Sequence, residues 1–259
     1  MALNEMQKAS RDQFEKQSKR YGRSHILADT SDIVAACEFF ELPENAKVLD
    51  VATGGGHAAN YFAAAGCDVI ASDITPAMLE NAGNLARENG NPIGTGQHSA
   101  EELPYADSHF DLVVCRVAPH HFSDVSSFVR ESCRVLKSGG TFLVIDGSVP
   151  DNNSIAEAWT HQVEKLRDPS HGRFISPGEW QSLCGDAGLS VHHCELKPMK
   201  MPDLEWYFET AATPQSNRTA VLELVRNAPE EARDAFKLGE EDEKIVWWWQ
   251  RMTLVARAH

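Results

Sequence analysis

The sequence predicts an α/β protein with a doubly wound, mostly parallel seven-stranded sheet, an N-terminal helical cap and a C-terminal helical insertion. Apolar runs of strand length alternate with helical patterns between residues 47 and 146. Residues 48–57 are an apolar run that reaches an acidic residue and continues into a glycine-rich turn. After Pro150 helical patterns dominate, until an apolar segment at 244–257. Strands alternating with helices are typical of a parallel sheet covered on both faces.

The individual elements follow from the periodicity of the apolar residues and from the turn residues between them. The predicted strands are 47–52, 68–72, 96–99, 110–115, 141–146, 189–197 and 244–257. The predicted helices are 4–21, 32–41, 57–65, 77–88, 125–136, 154–167 and 177–187, followed by a helix-rich stretch over 203–238. Ser123 or Asp124 is expected to cap helix 125–136, and Gly139-Gly140 to stop it.

No linker rich in Pro, Gly or Ser divides the chain, so we expect one domain whose last strand returns to the main sheet. Residues 1–42 are expected to form the cap and residues 43–150 the cofactor-binding core. Residues 151–259 would supply lid helices and the terminal strands of the same sheet. In the terminal strand Trp247 and Trp249 would share one face, and we expect core packing or an oligomer contact there rather than a ligand cage.

Composition limits the partners. The 259 residues are 42% hydrophobic and 24% charged, and the net charge of −14 repels phosphate backbones and anionic lipid surfaces, so we expect no nucleic-acid partner. No apolar run approaches the roughly 18 residues of a membrane span, and residues 1–20 lack the apolar region of a secretory signal. A cytoplasmic location is therefore expected.

The six cysteines are scattered and include no C-x-x-C pair. A free cysteine in an apolar pattern acts as a small hydrophobic residue. The sequence therefore indicates neither a disulfide framework nor a zinc site, and no metal ligands are predicted.

The glycine-rich turn predicts a nucleotide-like cofactor. Glycine lets the chain turn sharply and lets a ligand approach the main-chain N–H groups. Asp73 ends the second predicted strand, 19 residues after Gly54. An acidic residue at this spacing is placed to accept hydrogen bonds from ribose hydroxyls. A glycine-rich loop alone would be compatible with a simple tight turn.

Four blocks extend this pattern, at residues 48–56, 72–79, 100–111 and 134–140. In order and spacing they resemble class I S-adenosylmethionine-dependent methyltransferases. The motifs are closest to the ubiquinone/menaquinone-biosynthesis C-methyltransferases and to the bacterial proteins grouped with them. The resemblance covers residues 48–145. Nicotinamide-dependent dehydrogenases lack the last two blocks, and Gly54-Gly55-Gly56 lacks the G-x-G-x-x-G spacing.

The resemblance implies roles around S-adenosylmethionine for the residues of the first two strand ends. The backbone of the turn, including Thr53, Gly54 and Gly56, would lie against the methionine part. Asp50 would support the turn from beneath. Asp73 would hold the ribose hydroxyls.

Further residues are implied at the adenine and at the methionine end. Ile74 would pack on the adenine, and Ser99, Ala100 and Glu101 would edge it, although the family often has Asp where this chain has Ser99. Arg116, just past the fourth strand, would supply a backbone contact near the methionine group.

The N-terminal segment around Tyr21 resembles the cap of the family. Either the Tyr21 hydroxyl reaches the cofactor carboxylate or the ring packs at a helix end.

Two histidines are the candidate bases. Methyl transfer needs a base only when the acceptor carries a proton that must leave. His120 and His121 follow the fourth strand, at the edge where doubly wound sheets bind ligands, and a neutral imidazole suits proton removal. The alternative is that the two rings cap the following helix or fill a half-buried corner. Arg167 would pair with a substrate carboxylate, with Asp168 or with a nearby Glu.

The expected function is S-adenosylmethionine-dependent methyl transfer to a small, apolar or aromatic acceptor, with S-adenosylhomocysteine as product. One alternative is a cofactor-binding protein without transfer activity. Another is a Rossmann NAD(P)-dependent oxidoreductase. The acceptor atom stays open between carbon, oxygen and nitrogen, and the oligomeric state between monomer and homodimer.

Overall fold

A computed structural model describes residues 3–21, 25–242 and 244–259, without the side chains of residues 19–21, 25 and 26. Within these residues seven strands form one sheet and two short strands form a separate pair. The strands are β1 Lys47–Val51, β2 Asp68–Asp73, β3 Gly94–Gln97, β4 Phe110–Arg116, β5 Leu136–Ser148, β6 Leu189–Lys200, β7 Gly239–Glu241, β8 Lys244–Val246 and β9 Trp248–Ala258.

Helices occupy most of the segments between these strands. They are α1 Glu5–Tyr21, α2 His25–Ala28, α3 Ser31–Ala36, α4 His57–Ala64, α5 Pro76–Glu88, α6 Val125–Val135, α7 Ser154–Arg167, α8 Pro177–Ala187, α9 Leu204–Thr210, α10 Gln215–Arg226 and α11 Glu230–Ala235. Single 3₁₀ turns cover Cys37–Phe39 and Pro119–His121. Among the described residues, no helix combines the length and the apolar character that crossing a membrane requires.

The strand order in the main sheet is β3-β2-β1-β4-β5-β9-β6. Strands β1 to β5 are parallel, and β9 runs antiparallel between β5 and β6. The predicted doubly wound, mostly parallel sheet is therefore confirmed. The strand order reverses between β1 and β4, which is where sheets of this type bind ligands beyond the carboxyl ends of the strands.

Alternating residues of the central strands supply the two faces of the core. Val113 and Cys115 of β4 pack on one side of the sheet, and Leu112 and Val114 pack on the other. A third apolar cluster, under α7 and α9–α11, lies outside the main sheet and includes Trp159, Tyr207, Phe236 and Trp247.

The prediction that Gly139-Gly140 stops helix 125–136 is wrong. The helix ends at Val135, and Gly139-Gly140 lies inside β5 instead of stopping α6. Leu136 pairs with Phe110 and the next pair joins Thr141 to Leu112, so the four residues between are bulged out of register. Gly139 has φ 75°, a conformation that suits this bulge. Asp124 caps the helix by accepting a hydrogen bond from the Ser127 N–H.

The predicted terminal strand is broken at Trp247 into β8 and β9. Trp247 and Trp249 therefore do not share a face of one strand. Both rings instead contact Tyr207, with centroid separations of 4.8 and 5.7 Å, and Trp247 is buried in the third cluster. The side chains of Trp247 and Trp249 therefore contribute to core packing.

Candidate active site

Asp50 joins the first strand to the glycine-rich turn and to the next helix. Its Oδ2 accepts hydrogen bonds from Thr53 Oγ1 at 2.5 Å and from the Ala59 N–H at 3.0 Å. The residue is only 1% exposed. This burial raises the pKa of Asp50 to about 7, against the opposing effect of its two hydrogen bonds. Asp50 therefore fixes the turn from beneath.

Asp73 faces the turn from the end of β2. One carboxylate oxygen accepts a hydrogen bond from the Gly54 N–H at 3.0 Å, and the other accepts one from the Thr75 N–H at 2.8 Å. Burial raises the pKa of this carboxyl group, and the two N–H groups oppose the rise. Each oxygen can accept a further hydrogen bond, so the carboxylate can still receive ligand hydroxyls.

Gly56 serves the approach of two helices rather than the cleft wall. It has φ 84°, and a Cβ built there would lie 2.6 Å from the Cα of Ala82 in α5. The start of α4 can approach α5 this closely only because Gly56 has no side chain.

Two non-glycine residues at the strand ends have left-handed backbones. Ala52 has φ 55° and Val117, immediately after β4, has φ 56°. For a β-branched valine this conformation is rare, and such strained positions cluster at ligand sites. Both residues line the cleft described next.

A cleft that is partly open to solvent lies between the carboxyl ends of β1, β2 and β4 and helix α1. Most of the predicted site residues line it, namely Asp50, Thr53, Gly54, Asp73, Ile74, Ser99, Ala100, Glu101, Arg116 and His121. Gly56 and His120 are not part of its wall. The Tyr21 side chain lies outside the described residues.

Helix α1 contributes wall residues that the sequence analysis missed. Gln7, Ser10 and Phe14 line the cleft, and Gln7 Nε2 donates to Ser99 Oγ at 3.0 Å and to Glu101 Oε2 at 2.8 Å. The spacing of Gln7, Ser10 and Phe14 places them along one face of the helix, which is the available sequence signal. Gly55 of the predicted turn also lines the cleft, and other missed wall residues are Leu27, Ala52, His57, Ala58, Met78, His98, Val117, Ala118 and Phe122.

Glu101 joins two segments of the cleft wall by hydrogen bonds. Its carboxylate accepts hydrogen bonds from the backbone N–H groups of Ser123 at 2.7 Å and Asp124 at 3.0 Å, in addition to the one from Gln7. It therefore connects α1 to the segment that precedes α6.

Arg116 is the last residue of β4 rather than the first after it. Its Nε lies 3.0 Å from Asp32 Oδ2, and its other nitrogens donate to the carbonyls of Leu27 and Asp29 at 2.7 and 2.6 Å. Asp32 also pairs with Arg251 of β9 at 3.0 Å. The guanidinium group thus holds the segment before α3 against the sheet.

The two candidate bases have different partners. His120 Nδ1 lies 2.7 Å from Asp146 Oδ1 at the end of β5. His121 Nδ1 lies 3.1 Å from the carbonyl oxygen and 3.2 Å from the hydroxyl of Ser170, in the loop after α7. The two rings lie side by side, with centroids 4.2 Å apart.

The loop after α7 is fastened over this histidine pair. Asp168 Oδ1 accepts the hydroxyl hydrogen of Ser170 at 2.6 Å, and the Gly172 N–H donates to the His120 carbonyl at 2.8 Å. Arg167, at the end of α7, pairs with Glu164 at 3.1 Å, which is the nearby-Glu alternative among its expected partners. Its guanidinium carbon lies 4.5 Å from the centroid of the Tyr207 ring.

Within the described ranges, no group of three or more His, Cys, Asp or Glu side chains is arranged to hold a metal ion.

Comparison with known proteins agrees with this fold and cleft. A family model described as methyltransferase domain matches residues 49–144. The chain is 33% identical over 225 residues to the protein named uncharacterized methyltransferase YcgJ of Bacillus subtilis (strain 168), covering 86% of this chain and 88% of that protein. It is 32% identical over 135 residues to the ubiquinone/menaquinone biosynthesis C-methyltransferase UbiE of Shewanella frigidimarina, covering 50% of this chain and 53% of that protein.

A solved structure, that of BH2331 from Bacillus halodurans C-125, superposes with a TM-score of 0.82 at 32% identity, over 88% of this chain and 98% of that one. The doubly wound sheet, with acidic strand ends beside a glycine-rich turn, defines an enzyme of the Rossmann-like methyltransferase class. The chain belongs to the family of class I S-adenosylmethionine-dependent methyltransferases.

Proposed function

We propose that this protein transfers the methyl group of S-adenosylmethionine to a small, apolar or aromatic molecule and releases S-adenosylhomocysteine. The observation that carries the proposal is the position of Asp73, whose carboxylate faces the glycine-rich turn across one cleft at the reversal of strand order. A buried carboxylate that keeps spare acceptor capacity, beside a glycine-rich turn that a ligand can approach closely, suits a ribose and the groups attached to it.

The residues around the cleft fit the parts of this cofactor. Asp73 would accept the ribose hydroxyls, and the turn over Thr53 and Gly54, held by Asp50, would lie along the methionine part. Ile74 would pack on the adenine, with Ser99 and its neighbours Ala100 and Glu101 at the adenine edge. The backbone of Arg116 would face the methionine end.

The acceptor is proposed to be apolar because much of the remaining wall is apolar. Phe14, Leu27 and Phe122 line the cleft, and the Phe14 ring lies 4.9 Å from the His121 ring, centroid to centroid. Two relatives carry names that refer to quinones, UbiE and the demethylmenaquinone methyltransferase of Tropheryma whipplei, the latter 30% identical over 144 residues. Their names support an aromatic acceptor for this chain.

The protein contributes mainly alignment to the reaction. A bound sulfonium supplies an activated methyl group, and the cleft must hold the acceptor atom in line with it. Ser170 of the loop after α7 and Phe14 of α1 both contact His121, and together these two segments would exclude water from that side of the cleft. His120 or His121 would accept a proton from an acceptor that must lose one.

We further propose that residues 1–42 act as a cap, residues 43–150 as the cofactor core, and residues 151–259 as a lid plus the strands that complete the sheet. Binding of sinefungin with an acceptor should then protect the 150–175 segment from trypsin, which cleaves after Lys165, Arg167 and Arg173. Unchanged cleavage at these sites would contradict the lid.

Calorimetry with S-adenosylhomocysteine and with NAD tests the cofactor. Binding of the first and no binding of the second is expected, and the reverse result would overturn the proposal. A screen of small molecules, read out by S-adenosylhomocysteine release, then identifies the acceptor.

A further inference from the structure

Asp146 holds both the backbone and the ring of His120. Its Oδ1 lies 2.7 Å from His120 Nδ1, and its Oδ2 accepts the His120 N–H at 3.0 Å. The Gly147 N–H donates to Oδ1 at 2.8 Å. Asp146 is 2% exposed, so its carboxylate is buried and its position is fixed at the carboxyl end of β5.

This contact determines which nitrogen of His120 can react. A carboxylate accepts hydrogen bonds, so neutral His120 carries its hydrogen on Nδ1 and its lone pair on Nε2. The side chain is 13% exposed, and Nε2 is not sealed in the interior. The Nε2 of His171, by contrast, is buried without a hydrogen-bond partner among the described residues.

His121 differs from His120 in both position and charge. Burial, together with the neighbouring charge of His120, lowers the pKa of His121 to about 4, so this cleft-lining ring stays neutral. Burial would also lower the pKa of His120, but the charge and hydrogen bond of Asp146 outweigh it and the net pKa is raised. Neighbouring groups whose pKa values are driven apart commonly divide the acid–base work.

Several elements place titratable groups around His120. Asp146 lies on β5, His121 beside it on the 3₁₀ turn, and Asp168 and His171 on the loop after α7, the His171 centroid being 5.5 Å away. Glu164 acts on His120 from α7, and His161 of the same helix lies 5.8 Å from His171, centroid to centroid. Of these groups, only Asp146 forms a hydrogen bond with the His120 ring in the described part of the structure.

We propose that His120 and Asp146 form the proton-accepting pair of the site, with Asp146 as the positioning residue, and that the methyl acceptor is a phenol or enol. This inference rests on the proposed function. His120 is not part of the cleft wall, so the acceptor would extend past His121, whose ring centroid lies 4.2 Å from that of His120, to bring its hydroxyl to His120 Nε2. As the hydroxyl proton passes to His120 Nε2, an electron pair of the oxygen forms the bond to the methyl carbon. The carbon–sulfur bond of the sulfonium donor breaks, and its electron pair stays on sulfur.

The pair is tested first without an acceptor. Nitrogen-15 NMR of the histidine rings, on protein saturated with S-adenosylhomocysteine, should show His120 with its hydrogen on Nδ1. Asp146→Asn should lower the pKa of His120 by about one unit or more, because it removes a partner charge. The matched control is Asp151→Asn, which changes an exposed carboxylate a few residues further along the chain. An unchanged His120 pKa in Asp146→Asn would overturn the pair.

Turnover is tested with a panel of phenols and enols, matched by anilines and thiophenols, and read out as S-adenosylhomocysteine release. We expect turnover of members of the first group and a loss in kcat of about 100-fold or more in His120→Ala, with little change in the exposed-residue control His192→Ala. In the wild type kcat should rise with pH until His120 is unprotonated. Asp146→Asn should shift this inflection to lower pH and reduce the plateau.

The outcomes distinguish failure of the proposed function from failure of the proposed pair and its acceptor class. Failure of the wild type to bind S-adenosylhomocysteine would overturn the proposed function itself. Normal binding without turnover of any phenol or enol would overturn the acceptor class. Normal turnover by His120→Ala, or a pH inflection that Asp146→Asn leaves in place, would overturn the role of the pair.

Discussion

The N–H of Gly54 donates a hydrogen bond to the carboxylate of Asp73 at 3.0 Å, joining the glycine-rich turn to the end of the neighbouring strand. The turn is thereby held in place by a residue that would also contact the ligand. Preorganisation of this kind reduces the ordering that binding requires.

Asp73→Ala should weaken S-adenosylhomocysteine binding by about 10-fold or more, because hydrogen bonds to a charged group are worth about 1.5–3 kcal/mol. Calorimetry measures the Kd, and Asp68→Ala, at the exposed start of the same strand, is the control. Asp73→Asn, which keeps an acceptor oxygen, should lose less than Asp73→Ala. Equal Kd values for wild type and Asp73→Ala would contradict the role of this carboxylate.

Asp50 should make stability depend on pH. Its pKa is about 7 in the folded protein because of burial, against an ordinary value near 3.8. Between these values the folded state binds a proton that the unfolded state has lost, so stability falls as pH rises from about 4 to 7 and then levels off. The slope from this one group is on the order of 1 kcal/mol per pH unit.

Urea unfolding of wild type and Asp50→Asn at pH 5, 6, 7 and 8 isolates that contribution, because the other titrating groups are common to both. The free energy of unfolding of the variant, relative to that of the wild type, should increase as pH rises. A difference that is constant with pH would show that Asp50 is ionised throughout.

Gly56→Ala should destabilise the fold by about 2–5 kcal/mol, since a left-handed alanine costs about 1–2 kcal/mol and overpacking about 1–3. The clash would be with the backbone of Ala82, which cannot swing aside. Gly54→Ala is a matched control, because Gly54 has φ 53° but no atom within 4 Å of a built Cβ. Chemical denaturation should therefore show a clearly smaller loss for Gly54→Ala, and equal losses would count against the α4–α5 contact.

The adjacent tryptophans should differ in their contribution to stability. Trp247→Ala should cost about 3–5 kcal/mol, because a buried aromatic ring in the third cluster is lost. Trp248 is half-buried and lies under the ammonium groups of Lys237 and Lys200, at 5.1 and 6.0 Å, so Trp248→Ala should cost about 1 kcal/mol or less. Loss of ligand binding by Trp247→Ala with unchanged stability would restore the ligand-cage interpretation.

Local patterns predicted the strands, the turn and the acidic strand ends, because these depend on neighbouring residues. What the sequence analysis missed depends on contacts between distant segments. Gln7 reaches Ser99 across 92 positions, and Arg116 reaches Asp32 across 84. The pairing of His120 with Asp146 likewise follows from the adjacency of β4 and β5 and not from any motif.

The wrong prediction that Gly139-Gly140 stops α6 also results from a contact between distant segments. Glycine after a helical pattern is a common stop signal, but here the helix passes directly into a strand whose register to β4 must skip four residues. Only the pairing partner Phe110 reveals that the glycines serve the strand.

The place of β9 between β5 and β6 imposes an order of assembly. β6 precedes β9 in the sequence, yet within the main sheet β9 is its hydrogen-bonding neighbour. During synthesis β6 emerges before β9, the strand with which it pairs. The edge of β5 is also unpaired until β9 has been synthesised. Until β9 arrives, both edges are open to other chains, so the nascent protein should be most prone to aggregation in that interval.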